Sequence, residues 1–126
     1  MRLLLDTHIL LWWLAGSAAL PKQARKLIAD PAGEILVSVI SLWEIAIKSR
    51  KGKLEADLDE ILAQMEKEGF RVLPVTARHV SSLNRLDAHH GDPFDRMLTA
   101  QASAEPMRLL THDKALAQYG ESIMLV

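Results

Sequence analysis

The sequence contains no cysteine. Disulfide bridges and thiolate-held metals are therefore excluded, and a reducing, cytoplasmic compartment is expected. Basic residues are not in excess: 15 Lys and Arg stand against 16 Asp and Glu, a net charge of −1 with His neutral. A globally basic nucleic-acid binder is not indicated, so any phosphate contact must come from a local patch. No apolar run approaches the ~20 residues of a membrane span. The stretch from Met1 to Leu14 is apolar, but Asp6 and His8 interrupt it and a small-residue cleavage signature is lacking. It reads as the first strand and helix of a mature domain, not as a signal peptide. Repeats, low-complexity tracts and long linkers are also missing. So is a Gly-rich phosphate loop, which disfavours a nucleotide-binding domain.

What is present is ordinary for a globular chain. The 126 residues are 49% hydrophobic and 25% charged, enough for a single domain spanning 1–126 with a real core. Short apolar runs alternate with helical patterns. Strands are expected at Arg2–Leu5, Glu34–Val39, Phe70–Val75, Met107–Leu110 and Ile123–Val126. Helices are expected over Thr7–Ala15, Pro21–Asp30, Leu58–Glu68, Thr76–Leu86 and Pro93–Ala104, with a short one from Asp113 or Thr111 to Tyr119. Ser41 and Glu44 match a capping box that opens a helix running to about Lys51, with Gly52 as its stop. Asp92 followed by Pro93 is a further helix start, since an Asp cap accepts a free N–H and Pro at the first position loses none. The alternation predicts a three-layer α/β/α domain with a mainly parallel central sheet of four to five strands.

Four acids occupy equivalent places in this pattern. Asp6 directly follows the first strand, and Glu44 falls in the first turn of the helix after the second. Asp95 lies in the first turn of the helix leading into the fourth strand, and Asp113 lies just after that strand. In open parallel sheets, function gathers outside the carboxyl ends of the strands. Each acid alone also suits a helix start, where carboxylates are favoured. Together, without paired Lys or Arg, they would repel one another. A hard, oxygen-preferring cation relieves that repulsion: magnesium or manganese, not zinc, because cysteines are absent and the histidines are scattered. Such an ion suits phosphodiester hydrolysis. A phosphoacceptor signalling domain fits poorly, because it needs a Lys after a late strand.

The motifs that carry these acids resemble those of the PIN-domain family, specifically its VapC-type ribonuclease toxins. They are Leu3-Leu4-Leu5-Asp6-Thr7-His8, Ser41-Leu42-Trp43-Glu44-Ile45-Ala46-Ile47-Lys48, Asp92-Pro93-Phe94-Asp95-Arg96 and Leu110-Thr111-His112-Asp113. The resemblance covers nearly the whole chain. It implies a metal-dependent endoribonuclease with Asp6, Glu44, Asp95 and Asp113 at the family's acidic positions. It also implies a homodimer, a small cognate antitoxin and an RNA substrate, with transfer RNA as the family-level expectation. The competing reading is a catalytically silent PIN-like module that only binds RNA or its antitoxin.

Several neighbours carry supporting roles. Asp92 is read first as a cap. Thr7 and Thr111 stand beside acids and suit hydrogen bonds to them, or helix capping. Arg96 suits a carboxylate or a substrate phosphate. Lys48, Arg50, Lys51 and Lys53 form the densest basic cluster, a solvated helix end with phosphate contact as its second role. His8, His89, His90 and His112 lie near the acids, and imidazoles titrate near neutral pH. Trp12, Trp13 and Trp43 lie on helices with apolar neighbours, which favours core or interface packing over base stacking.

Overall fold

The computed structural model describes residues 1–87 and 91–126. His89 and His90 lie outside the described residues. Among the described residues, five strands form one sheet: β1 (Arg2–Leu5), β2 (Glu34–Ser38), β3 (Arg71–Leu73), β4 (Arg108–Thr111) and β5 (Ile123–Leu125). Their order is β3-β2-β1-β4-β5, and every pairing is parallel. Six α-helices among the described residues connect them: α1 (Thr7–Leu14), α2 (Lys22–Ala29), α3 (Val39–Arg50), α4 (Leu58–Glu68), α5 (Ala77–Asn84) and α6 (Pro93–Ala104). A 3-10 segment over Lys114–Ser122 precedes β5.

Strand alternation divides the core into two layers, because successive side chains of a strand point to opposite faces. Leu3, Leu5, Ile35 and Val37 pack with Ile9, Leu10, Ala24, Ile28, Ile61 and Met65 of α1, α2 and α4. On the other face, Leu4, Leu36 and Leu109 pack with Leu98 and Ala102 of α6 and with Leu116. The expected three-layer α/β/α arrangement is therefore present. The central strands are apolar throughout because both faces are covered.

One helix start differs from expectation. α3 begins at Val39, and its cap is Ser38, whose hydroxyl accepts from the Ile40 N–H at 3.0 Å. Ser41 is fully buried inside the helix, and Glu44 lies beyond the first turn, so the two form no capping box. Strand β2 passes into α3 without a linker, which moves the cap three residues upstream. A capping box does occur at α5, where Thr76 pairs with His79. The ring of His79 is fully buried: Nδ1 accepts from the Thr76 N–H at 3.0 Å, and Nε2 lies 2.6 Å from Glu105 Oε2. Gln101 of α6 joins this network to the α3 cap, accepting from the Ser38 hydroxyl at 2.5 Å.

Candidate active site

The strand order reverses direction between β1 and β4. The chain runs outward from β1 through β2 to β3, then returns to the other side of β1 as β4. At such a switch point the following connections diverge and leave a crevice at the carboxyl ends of the strands. Asp6 stands at the end of β1 and Asp113 just past β4, so both reach this crevice. Helix α3 leaves the neighbouring strand and carries Glu44 in. Helix α6 starts at the rim, with Asp92 as its cap accepting from the Phe94 N–H at 2.8 Å, and presents Asp95 in its first turn. Asp6, Glu44, Asp95 and Asp113 therefore line one cleft of about 340 Å³, with Asp92 beside them.

Two threonines hold the buried pair. Asp6 is 5% exposed and Glu44 4%. The Thr111 hydroxyl donates to Asp6 Oδ2 at 2.6 Å, and the Thr7 N–H donates to Asp6 Oδ1 at 2.7 Å. The Thr7 hydroxyl donates to Glu44 Oε1 at 2.8 Å and lies 2.9 Å from the Ser41 hydroxyl. Thr111 Oγ1 also accepts from the Asp113 N–H at 3.0 Å, which links the exits of β1 and β4. The Asp113 carboxylate itself caps the 3-10 segment by accepting from the Ala115 N–H.

The electrostatics are not purely acidic. Lys48, one helical turn beyond Glu44, enters the same cleft and donates to Glu44 Oε2 at 2.5 Å. That hydrogen bond, with the charges of Glu44, Asp92 and Asp95, pushes the Lys48 ammonium pKa up against the cost of its burial. Burial pushes the Asp6 carboxyl up, with Glu44 adding to it, while the bonds from Thr111 and Thr7 and the charge of His8 pull the other way.

The other expected residues separate. Arg96 does not line the cleft; it donates to the Asp87 carbonyl at 3.0 Å and to the Tyr119 hydroxyl at 3.3 Å. Arg50, Lys51 and Lys53 are exposed at the end of α3 and beyond it, so Lys48 alone of that cluster faces the acids. His8, His112 and Trp12 also line the cleft, with the Trp12 ring 5.8 Å from that of His112. Trp13 packs against Phe70, whereas Trp43 is 57% exposed with its ring edge near Phe94, so it is not a core residue. The Glu44–Lys48 spacing of four was the signal that would have separated Lys48 from its basic neighbours.

The donor set suits a hard divalent cation, since it consists of carboxylate oxygens without thiolates. Among the described residues, no three His, Asp or Glu side chains converge into a finished metal-holding group. The acids line the cleft, and an ammonium stands among them.

The PIN domain family model matches residues 3–122. The chain belongs to the PIN-domain family. This PIN domain is 29% identical over 119 residues to ribonuclease VapC22 of Mycobacterium tuberculosis, covering 92% of this chain and 90% of that one. Its fold is similar to VapBC2 from Rickettsia felis, solved bound to a promoter DNA fragment, with a TM-score of 0.73 and 15% identity over 100% of this chain and 98% of that one. It is also similar to a toxin–antitoxin complex from Klebsiella pneumoniae, with a TM-score of 0.66 and 20% identity over 96% and 94% of the two chains. At these identities the structural likenesses speak for the fold.

Proposed function

We propose that this PIN domain is a divalent-metal-dependent endoribonuclease acting as the toxin of a toxin–antitoxin pair. The observation that carries the reading is the convergence of Asp6, Glu44, Asp95 and Asp113 on one cleft at the strand switch point. The ribonuclease relative and the toxin–antitoxin structures support the same reading. Asp6, Asp95 and Asp113 are the proposed ligands of a magnesium or manganese ion, and Glu44 reaches the same ion directly or through a water. When bound, such an ion supplies an activated water and charge neutralisation at the phosphodiester. The chain's own part is orientation: Thr7 and Thr111 fix the carboxylates of Glu44 and Asp6 before substrate arrives. Trp12 and His112 line the same cleft, their rings in edge-to-face contact, and are the proposed aromatic contacts for a nucleobase.

The proposed partners are an RNA substrate, with transfer RNA as the first pool to test, a small cognate antitoxin, and a second copy of the chain. Among the described residues, no helix is long and apolar enough to cross a membrane. The proposed site of action is the cytoplasm, where the proposed RNA substrate is found.

The deciding experiment is cleavage of total bacterial RNA by antitoxin-free protein in magnesium, manganese or EDTA, beside Asp95→Asn purified identically. Metal-dependent cutting that the variant lacks is the expected result. Well-folded protein that cuts neither total RNA nor purified transfer RNA with any metal would overturn the nuclease reading in favour of a silent RNA- or antitoxin-binding module.

A further inference from the structure

Lys48 is the only Lys or Arg among the described residues that line the acidic cleft. Its position follows from the helix repeat: Glu44 and Lys48 are four residues apart on α3 and share a face. Glu44 is buried, while the Lys48 side chain is 38% exposed, so the ammonium reaches in from the rim on a flexible stem. The two oxygens of Glu44 are held differently. Oε1 accepts from the buried Thr7 hydroxyl at 2.8 Å, a contact fixed by packing. Oε2 accepts from Lys48 at 2.5 Å, a contact that rotation of one long side chain can release. The Lys48 ammonium also lies in the fields of Asp92 and Asp95. It therefore occupies Glu44 Oε2, an oxygen that a divalent ion held by Glu44 would also need, in the cleft that Asp95 lines. Two cations cannot share that position without strong repulsion.

We propose that Lys48 is an exchangeable counter-cation of the cleft: it holds Glu44 in the metal-free protein, leaves Glu44 Oε2 when a divalent ion binds, and then contacts the substrate phosphate. The inference rests on the metal-nuclease reading above. It accounts for two observations together: the lack of a finished metal-holding group among the described residues, and an ammonium bonded to one of the proposed ligands. It also gives the cleft an order of events, because the phosphate contact becomes available only after the ion has displaced the lysine.

The test is Mn²⁺ affinity by calorimetry for wild type, Lys48→Met and Lys48→Arg, each shown folded by circular dichroism in EDTA. Removing the competing charge in Lys48→Met is expected to tighten Mn²⁺ binding roughly tenfold, while Lys48→Arg stays near wild type. At saturating Mn²⁺, Lys48→Met is nevertheless expected to lose roughly tenfold or more in RNA cleavage, with a shallower salt dependence. In wild type, the side-chain NMR signal of Lys48 is expected to move as diamagnetic Mg²⁺ is added and to level off at saturation. This keeps the exchange testable even if Lys48→Met does not fold. Equal or weaker Mn²⁺ binding by Lys48→Met, or a Lys48 signal that stays still through Mg²⁺ saturation, overturns the exchange. Undiminished cleavage by Lys48→Met overturns the phosphate contact. If wild type itself binds no Mn²⁺, the metal reading fails together with the exchange; if wild type binds and Lys48→Met binds no better, only the exchange fails.

Discussion

The Thr111 hydroxyl donates to Asp6 Oδ2 at 2.6 Å, across 105 residues of chain. Thr111 ends β4 and Asp6 directly follows β1, and the two strands are hydrogen-bonded neighbours, with Leu5 paired to Leu110. The contact joins the two central exits of the sheet, and both groups are buried. Thr111 Oγ1 accepts from the Asp113 N–H in turn. One hydroxyl thereby sets the orientation of one acid and the backbone position of another.

Thr111→Val keeps the shape and removes both hydrogen bonds. The buried Asp6 oxygen and the Asp113 N–H then lose a partner, a cost of about 1–3 kcal/mol in stability. Cleavage is expected to fall roughly tenfold or more as the carboxylate loses its orientation. Thr111→Ser retains the hydroxyl and should remain near wild type in both respects. Urea unfolding and single-turnover cleavage of the same preparations check this. A Val variant as active as wild type would show that the hydroxyl does not orient the site.

Asp6→Asn should remove cleavage and leave the fold intact. Burial raises the Asp6 carboxyl pKa, so the folded state holds this proton more tightly than the unfolded chain does. The stability linked to that proton is full below the unfolded carboxyl range and is lost as the pH rises through the folded value. In Asp6→Asn that loss is absent. In EDTA at neutral pH, the variant is expected to be more stable than wild type, with the gap closing on acidification. Thermal unfolding between pH 4 and 8 measures the gap. A wild type that gains on the variant as the pH rises would reverse the sign and reject the assignment.

The start of α3 gives a prediction that separates two serines. Ser38→Ala removes the helix cap and the partner of Gln101, and is expected to cost about 1–2 kcal/mol. Ser41→Ala removes only the contact with Thr7, and is expected to cost less, about 0.5–1 kcal/mol. Denaturant midpoints of the two variants decide. A larger loss at Ser41 would favour the cap predicted from the Ser41–Glu44 pattern over the one observed.

That cap shows where local pattern runs out. Ser38 and Ser41 both suit a helix start, and the apolar stretch from Ile35 to Ile40 serves a strand and a helix equally well. The sheet decides: Ser38 pairs with Leu73 in the last register position of β2, so the chain can turn only after it. His79 was hidden for a related reason, since a capping box is expected to close with Glu or Gln and here closes with a histidine. Proximity in sequence groups Lys48 with Arg50, Lys51 and Lys53. The helix repeat turns Lys48 toward the acids and leaves the others at the exposed end.

The alternation of strands and helices, and the acids placed at their junctions, were legible from the chain alone. Both depend on near-neighbour periodicity: buried strands are continuously apolar, and helix starts favour oxygen acceptors. The strand order β3-β2-β1-β4-β5 was not legible, since any buried parallel strand can pair with several others. That order makes β1 and β4 neighbours, brings Thr111 to Asp6, and collects four acids from distant segments around one lysine. The sequence by itself determined which side chains are available at the strand ends; only long-range pairing, which no local pattern specifies, determined which of them meet.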